Sequence, residues 1–398
     1  MIGIRIGRRA AVAGSLAAMA SPAVVRAQAD PIKIATLTPL TGAGGSYGPT
    51  MAKVAASVVE EVNKAGGVLG RRVVLVSEDD QTSPEPAVRA ARKLIDVDKV
   101  AAIMGTWASS VTTAVAPLCW ESKTFLCTVS GADSITLLPH QGFLIRTQPN
   151  STLQVTRVGE FILSLGAKKV FTMIPQTPFT QATFDILNAV LPKGGATHQS
   201  LIYDDKKTTY RTEVDQALRT SPDVILANGY TPDSIVLLKD LYRAGFKGKI
   251  LGFAYSINQK LIDQIGQPEV VEGVYTFAPS PAEGSTAYEK VKALVGSANP
   301  DPYTCQVYDH TNMVLMSMAF AKQASGTAIK DNIRKVTQGG GKPVDNAADG
   351  IKAIAAGEKV DYSGASGPCD FDDKGDILDC KFRYEQIKSG KFTVVKIA

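Results

Sequence analysis

Three histidines, His140, His198 and His310, are the only imidazoles in this chain. None sits at a spacing that would hold a metal. A glycine run ending in lysine, GGGKP at 339–343, has neither the spacing of a phosphate-cradling loop nor the Ser or Thr that should follow its lysine. The stretch GASG at 364–367 is one position short of a strained turn carrying a nucleophilic serine. Glu78, Asp79 and Asp80 form a single acidic cluster, which reads as a solvated or hydrogen-bonded strand end. Catalysis requires a nucleophile, a base and a charge stabiliser to converge. No such set is legible, so the chain is not expected to be an enzyme, and no cofactor or metal is implied.

Binding chemistry has better support. Hydroxyl-rich and small residues gather where strands give way to helices, as in GTWASS at 105–110 and SGADS at 130–134. In open α/β sheets, ligands sit beyond the carboxyl ends of strands. Ser109 or Ser110 can cap the helix that follows Trp107. Free N–H groups and the helix dipole there would also favour an anion such as a carboxylate. Ala132, Asp133 and Ser134 occupy the second junction, and the loop GGSYG at 44–48 offers a third wall through Tyr47. Phe179, Tyr230 and Tyr255 fall at equivalent strand ends further along. With Trp107 they could line an apolar cage holding a few polar groups, the usual build of a small-molecule site. Each aromatic taken singly is equally at home in ordinary packing.

These residues need elements to hold them, and the pattern supplies a repeating alternation. Short β-branched runs at 32–37, 73–76, 100–104 and 124–129 alternate with helical periodicity from Pro49 onward and at 87–97 and 111–121. The rhythm restarts after 143–148 with helices at 153–165 and 180–191 and strands at 170–174, 199–203 and 224–227. Such βαβ alternation calls for parallel sheets covered by helices. A chain of 398 residues exceeds one ordinary core and predicts about two domains. The expected fold class is α/β with two Rossmann-like lobes. Lobe one spans 30–147 plus about 277–360, and lobe two spans 148–276 plus about 361–398. The tail alternates as a hairpin with Gly375 and Gly390 at turns.

The first 29 residues carry Arg5, Arg8, Arg9 and Arg26, no acid, an apolar Ala-rich middle and a small-residue end at Ala27-Gln28-Ala29. That is the build of a secretory signal peptide, and the Arg8-Arg9 pair leaves the twin-arginine route open beside the ordinary one. Of the formal charge of +5, four units belong to these arginines, so +1 remains for 30–398. That balance gives no nucleic-acid signature. The five cysteines suit an oxidising compartment. Cys369 and Cys380 flank the turn at 372–376 and are candidates for a bridge, as are Cys119 and Cys127. All five reduced and buried is the alternative, and spacing alone does not give connectivity.

Three stretches carry a family resemblance: IKIATLTPLTG at 32–42 followed by Tyr47-Gly48, EVNKAGGVLGRRV at 61–73, and EDDQTSP at 78–84 followed by 87–94. The chain resembles type I periplasmic solute-binding proteins of the leucine/isoleucine/valine-binding family, over essentially all of 30–398. The resemblance implies two lobes joined by three crossovers, with ligand in the cleft between them. It also implies a monomeric periplasmic receptor that delivers an amino acid or other small organic carboxylate to an inner-membrane ABC permease. By position, Ser110 matches the family serine that holds a ligand carboxylate. Ala132 and Asp133 fall where the family uses backbone and a threonine. Tyr47 matches an entrance-loop tyrosine, Phe179 falls at a lobe-two aromatic, and Tyr230 lies near another. The amino-acid binders hold the ligand ammonium with an acid on lobe two, and no acid occurs around Ala254-Tyr255. An aromatic or other organic acid is therefore a ligand candidate. The same fold can serve as a sensor that reports occupancy to a membrane or regulatory partner.

Overall fold

The computed structural model describes residues 30–398, so the signal-peptide reading of residues 1–29 lies outside the described residues. Five parallel strands form the first sheet: β1 (Ile32–Thr38), β2 (Val73–Asp79), β3 (Ala102–Gly105), β4 (Phe125–Thr128) and β5 (Leu144–Arg146). Their order is β2-β1-β3-β4-β5. Leu37, at the end of β1, pairs with Glu78 on one side and Gly105 on the other. The strand ends that carry the first two hydroxyl-rich junctions therefore lie side by side on one edge, as parallel pairing requires.

The chain then crosses to the second lobe and lays down β6 (Lys169–Pro175), β7 (Thr197–Tyr203), β8 (Val224–Ala227), β9 (Lys249–Phe253) and β10 (Tyr275–Pro279). It returns to the first lobe for four helices and a two-stranded parallel sheet of β11 (Lys342–Val344) and β12 (Val360–Tyr362). It crosses a third time to add β13 (Phe382–Lys388) and β14 (Lys391–Ile397). The second sheet runs β14-β13-β10-β9-β8-β6-β7. Its central strands are parallel, while β13 runs antiparallel to both β10 and β14. A hairpin can join only antiparallel strands, and Gly390 at φ 72° makes that turn. The architecture is thus the two-lobed α/β fold with three crossovers.

Each lobe has its own interior. The first sheet is packed under helices that include Gly48–Lys64 and Pro302–Ala321. The Pro302–Ala321 helix is buried continuously from Tyr303 to Ala319, which explains its lack of a polar face. The second sheet is covered on both faces by separate apolar clusters. Cys369 and Phe371 belong to the first-lobe core, so the segment after β12 stays with the first lobe until about residue 380. Phe371 pairs with Ile377 across the turn at 372–376.

The cysteine pairings are corrected by this arrangement. All five cysteines are free thiols. Cys369 sits in the first core, with Sγ 3.6 Å from the carbonyl of Gly367 and 4.0 Å from Asp309 Oδ2. Cys380 instead packs against the second-lobe core, with Sγ 3.1 Å from the carbonyl of Lys381. Neighbours in sequence around a turn, they belong to different cores. Cys119 lies on the Ser109–Glu121 helix and Cys127 on β4; both are buried without a bridge. Among the described residues no helix is long and apolar enough to cross a membrane.

Candidate ligand-binding cleft

The wall of the cleft on the first lobe begins where β3 ends. Gly105 has φ 109°, and a Cβ on it would lie 2.8 Å from the carbonyl oxygen of Leu37. Only glycine suits that close approach. Thr106 follows at φ 46°, an unusual conformation for a β-branched residue. A buried hydroxyl cluster holds it there. The carbonyl of Thr106 accepts from three hydroxyls: Thr112 Oγ1 at 3.1 Å, Thr128 Oγ1 at 2.8 Å and Ser130 Oγ at 2.7 Å. The hydroxyl-rich composition of the two junctions is thus spent largely on bracing one strained peptide behind Trp107.

The Ser109–Glu121 helix starts directly after this turn. Its N-cap is Ala108, and no side chain caps it, which corrects the expectation that Ser109 or Ser110 would do so. Ala108 is extended, and Ser109 is already the first helical residue. The opening N–H groups consequently have no intrahelical acceptor. Ser109 Oγ accepts from the Ala132 N–H at 3.2 Å, keeping its own hydroxyl hydrogen to give. Ser109, not Ser110, lines the cleft, with Trp107, Ala108, Val129 and Gly131 on the same side.

Phe179, Tyr230 and Tyr255 close the cleft from the second lobe, together with Pro175, Thr177 and Thr180. Tyr230 sits 5.6 Å from Trp107 between ring centroids, and Tyr255 6.2 Å from it. Phe179 meets Tyr255 edge-to-face at 5.8 Å. Tyr303, from the start of the Pro302–Ala321 helix, completes the set at 5.8 Å from Trp107. Five aromatic side chains therefore line the cleft. Such ring pairs contribute about 0.5–1.5 kcal/mol each beyond their burial. No charged side chain lines the cleft among the described residues. Burial pushes the phenol of Tyr230 up to about 12 and that of Tyr255 well above its ordinary value, so both rings stay neutral hydrogen-bonding groups. Asn228 Nδ2 donates to Tyr255 Oη at 2.7 Å and fixes that ring.

Tyr47 plays a different part from the one expected of a cleft wall. Its ring backs Trp107 at 5.4 Å, and its hydroxyl reaches the other lobe. Tyr47 Oη donates to the carbonyl of Ala254 at 3.1 Å and accepts from Asn258 Nδ2 at 2.8 Å. The lobes are thereby latched at the cleft edge.

The remaining residues expected at the second junction are brought near but turned to other work. Asp133 accepts from the Thr152 N–H at 3.1 Å and from Ser151 Oγ at 2.8 Å. It caps the Ser151–Ser164 helix across the first crossover and does not line the cleft. Ser134 is exposed. Ala132 is buried, and its carbonyl accepts from Arg146 Nη1 at 2.5 Å. The glutamines Gln148 and Gln154 line the cleft where the chain crosses between lobes, and nothing in the sequence reading singled them out. The one available signal was the helix start marked by Asn150, whose side chain accepts from the Leu153 N–H.

Comparison with known proteins agrees with the two-lobed fold. The profile of a family described as periplasmic binding protein matches residues 31–391. The chemotactic signal transduction system substrate-binding protein BasB of Halobacterium salinarum is 25% identical over 85% of this chain and 83% of its own length. The crystal structure of leucine binding protein LivK from Thermotoga maritima MSB8 superposes with a TM-score of 0.78 at 22% identity, over 92% of this chain and 98% of that one. An ABC transporter solute binding protein from Rhodopseudomonas palustris HaA2, in complex with p-hydroxybenzoic acid, superposes with a TM-score of 0.75 at 17% identity, over 93% of this chain and 97% of that one.

Proposed function

We propose that this chain, which belongs to the periplasmic binding protein family, is the extracytoplasmic receptor of an ABC importer and closes its two lobes over a small organic carboxylate. The family is one of solute-binding proteins, and the chain is a binder and not an enzyme. The observation that carries the ligand class is a cleft walled by five aromatic side chains and, among the described residues, by no charged one. An ammonium group would lose its hydration there without gaining a carboxylate partner, which is costly for a buried charge. A carboxylate fares better. The uncapped start of the Ser109–Glu121 helix offers it N–H groups and a positive dipole end, and Ser109 offers a hydroxyl. The aromatic walls then suit a flat apolar body, so an aromatic acid is favoured over an amino acid. The Rhodopseudomonas palustris relative holding p-hydroxybenzoic acid supports this reading.

Binding proceeds by hinge closure about the three crossovers. The carboxylate is taken up on the first lobe, and Phe179, Tyr230 and Tyr255 arrive with the second. Ligand favours the closed form only through contacts that both lobes make to it. The closed pair of lobes is the form presented to the permease. Export through the leader at residues 1–29 places the protein in the periplasm under this proposal.

Calorimetric titration of the purified protein with benzoate-type acids and with branched-chain amino acids tests the ligand class. Aromatic acids are expected to bind more tightly, and Ser109→Ala to weaken them about tenfold, with Ser110→Ala nearly silent. Tighter binding of leucine than of every acid in the set would overturn the ligand class while leaving the receptor. A second reading is favoured by the BasB relative, named for chemotactic signalling. In that reading the closed form is recognised by a signal transducer. Ligand-dependent capture of a permease, rather than of a chemotaxis-type transducer, separates the two.

A further inference from the structure

A chain of three glutamines runs from the first lobe, through the first crossover, into the second. Gln306, buried on the Pro302–Ala321 helix, donates through Nε2 to the carbonyl of Thr147 at 3.4 Å and to Gln148 Oε1 at 2.9 Å. Gln148 Nε2 donates to Gln154 Oε1 at 3.3 Å. Gln154 Nε2 donates to the carbonyl of Pro149 at 2.6 Å. Backbone carbonyls only accept, so Thr147 and Pro149 anchor both ends of the chain and set the direction of every amide in it.

That fixed direction has a chemical consequence. An amide nitrogen carries two hydrogens. Gln306 uses both. Gln148 and Gln154 each use one, and each side-chain oxygen is already engaged as an acceptor. The two residues therefore keep one N–H apiece to offer a ligand. Both line the cleft. Gln154 Nε2 lies beside Gly131, which also lines the cleft: a Cβ on that glycine would stand 3.0 Å from it. Both side chains are buried, so a ligand that covers them must satisfy them or leave them unpaired.

We propose that Gln148 and Gln154 form a donor subsite at the hinge end of the cleft, selecting ligands whose apolar body carries an oxygen acceptor there. The acceptor is a hydroxyl, ether or carbonyl oxygen. Ligands ending in bare hydrocarbon at that position are discriminated against, because they bury the amide N–H groups without a partner. The amides are held in place from both lobes, through Gln306 and through the Ser151–Ser164 helix. The subsite is complete only when the first crossover lies as it does here, so ligand selection and lobe closure use the same residues. This inference rests on the aromatic-carboxylate reading of the cleft and goes on to name the substituent.

Calorimetry with benzoate and its methyl-, hydroxy- and methoxy-substituted forms, each at the ring positions 3 and 4, tests it. At one ring position the oxygen-bearing acid is expected to bind at least about tenfold more tightly than its methyl counterpart, the scale of discrimination a single buried hydrogen bond gives. Gln154→Met keeps the side-chain length and should erase that preference, bringing the ratio of oxygen-bearing to methyl-bearing affinity toward one. Gln148→Met, on the crossover itself, is the second variant, with melting temperatures confirming that each is folded. An unchanged oxygen-over-methyl ratio in both folded variants would overturn the donor subsite and leave the carboxylate receptor standing. A protein that binds none of these acids would overturn both.

Discussion

Gly131 stands so close to Phe179 that a Cβ placed on it would lie 2.7 Å from the phenylalanine ring. The two residues come from different lobes, and the same Cβ would lie 3.0 Å from Gln154 Nε2. Gly131 is not in the left-handed region of backbone space, so alanine fits its backbone and disturbs only what approaches it. Gly131→Ala is accordingly expected to leave each lobe intact, with a melting temperature within a few degrees of the parent. Closure should suffer instead, because Phe179 cannot retreat without giving up its edge-to-face contacts with Phe253 and Tyr255. Ligand affinity should fall by about tenfold or more. Titration calorimetry beside a thermal melt checks both halves, and an unaffected affinity would show that the lobes tolerate a wider gap here.

The latch at Tyr47 can be weakened without touching the cage. Tyr47→Phe keeps the ring against Trp107 and Tyr303 but removes the hydroxyl that links Ala254 and Asn258. Ala254 and Asn258 then face each other without their bridging hydroxyl. Net loss of such hydrogen bonds is worth about 0.5–1.5 kcal/mol, paid only in the closed form. Affinity is expected to drop several-fold through faster release, and small-angle scattering of the ligand-free variant should show a larger radius of gyration. Equal scattering profiles would mean that the latch does not bias closure.

A buried carboxylate just past the end of β2 gives a pH dependence with a definite sign. Asp80 is fully buried; its Oδ1 accepts from the Thr82 N–H at 2.7 Å, and its Oδ2 has no partner. Burial, opposed by that hydrogen bond and reinforced by Asp79, pushes its carboxyl up to about 7. The folded form therefore holds a proton that the unfolded chain releases near the ordinary aspartate value. Its contribution to stability is full below that value and is lost as pH rises through about 7, on the order of 4 kcal/mol. His198 and His310, pushed by burial down to about 4 and about 3, act in the opposite sense below their ordinary range. The variant comparison isolates Asp80 from them. Asp80→Asn is expected to match the parent near pH 4 and to exceed it in melting temperature at pH 8. Parallel melting curves for the two proteins across that range would remove Asp80 as the source.

Much of this protein was determined by its sequence alone, because alternation and turn chemistry are local. Runs such as β3 and β8 are apolar throughout, as strands buried on both faces must be, and the glycines and hydroxyl residues after the first-sheet strands mark the junctions where strands give way to helices. Trp107, Phe179, Tyr230 and Tyr255 were placed at the cleft by that logic, since a residue just past a parallel strand has few other places to go. What only the tertiary structure decided depends on contacts between distant segments. Tyr303 and Gln306 reach the site from a helix whose residues are almost all buried, so no polar face distinguishes them beforehand. Ser109 rather than Ser110 faces the cleft because the helix begins one residue earlier than a serine cap would start it. Asp133 turns away to cap a helix across the crossover. Cys369 and Cys380, close in sequence, part company because the third crossover sends them to different cores. The glutamine chain is the furthest from local reading: its direction follows from two backbone carbonyls brought beside three amides by the packing of both lobes.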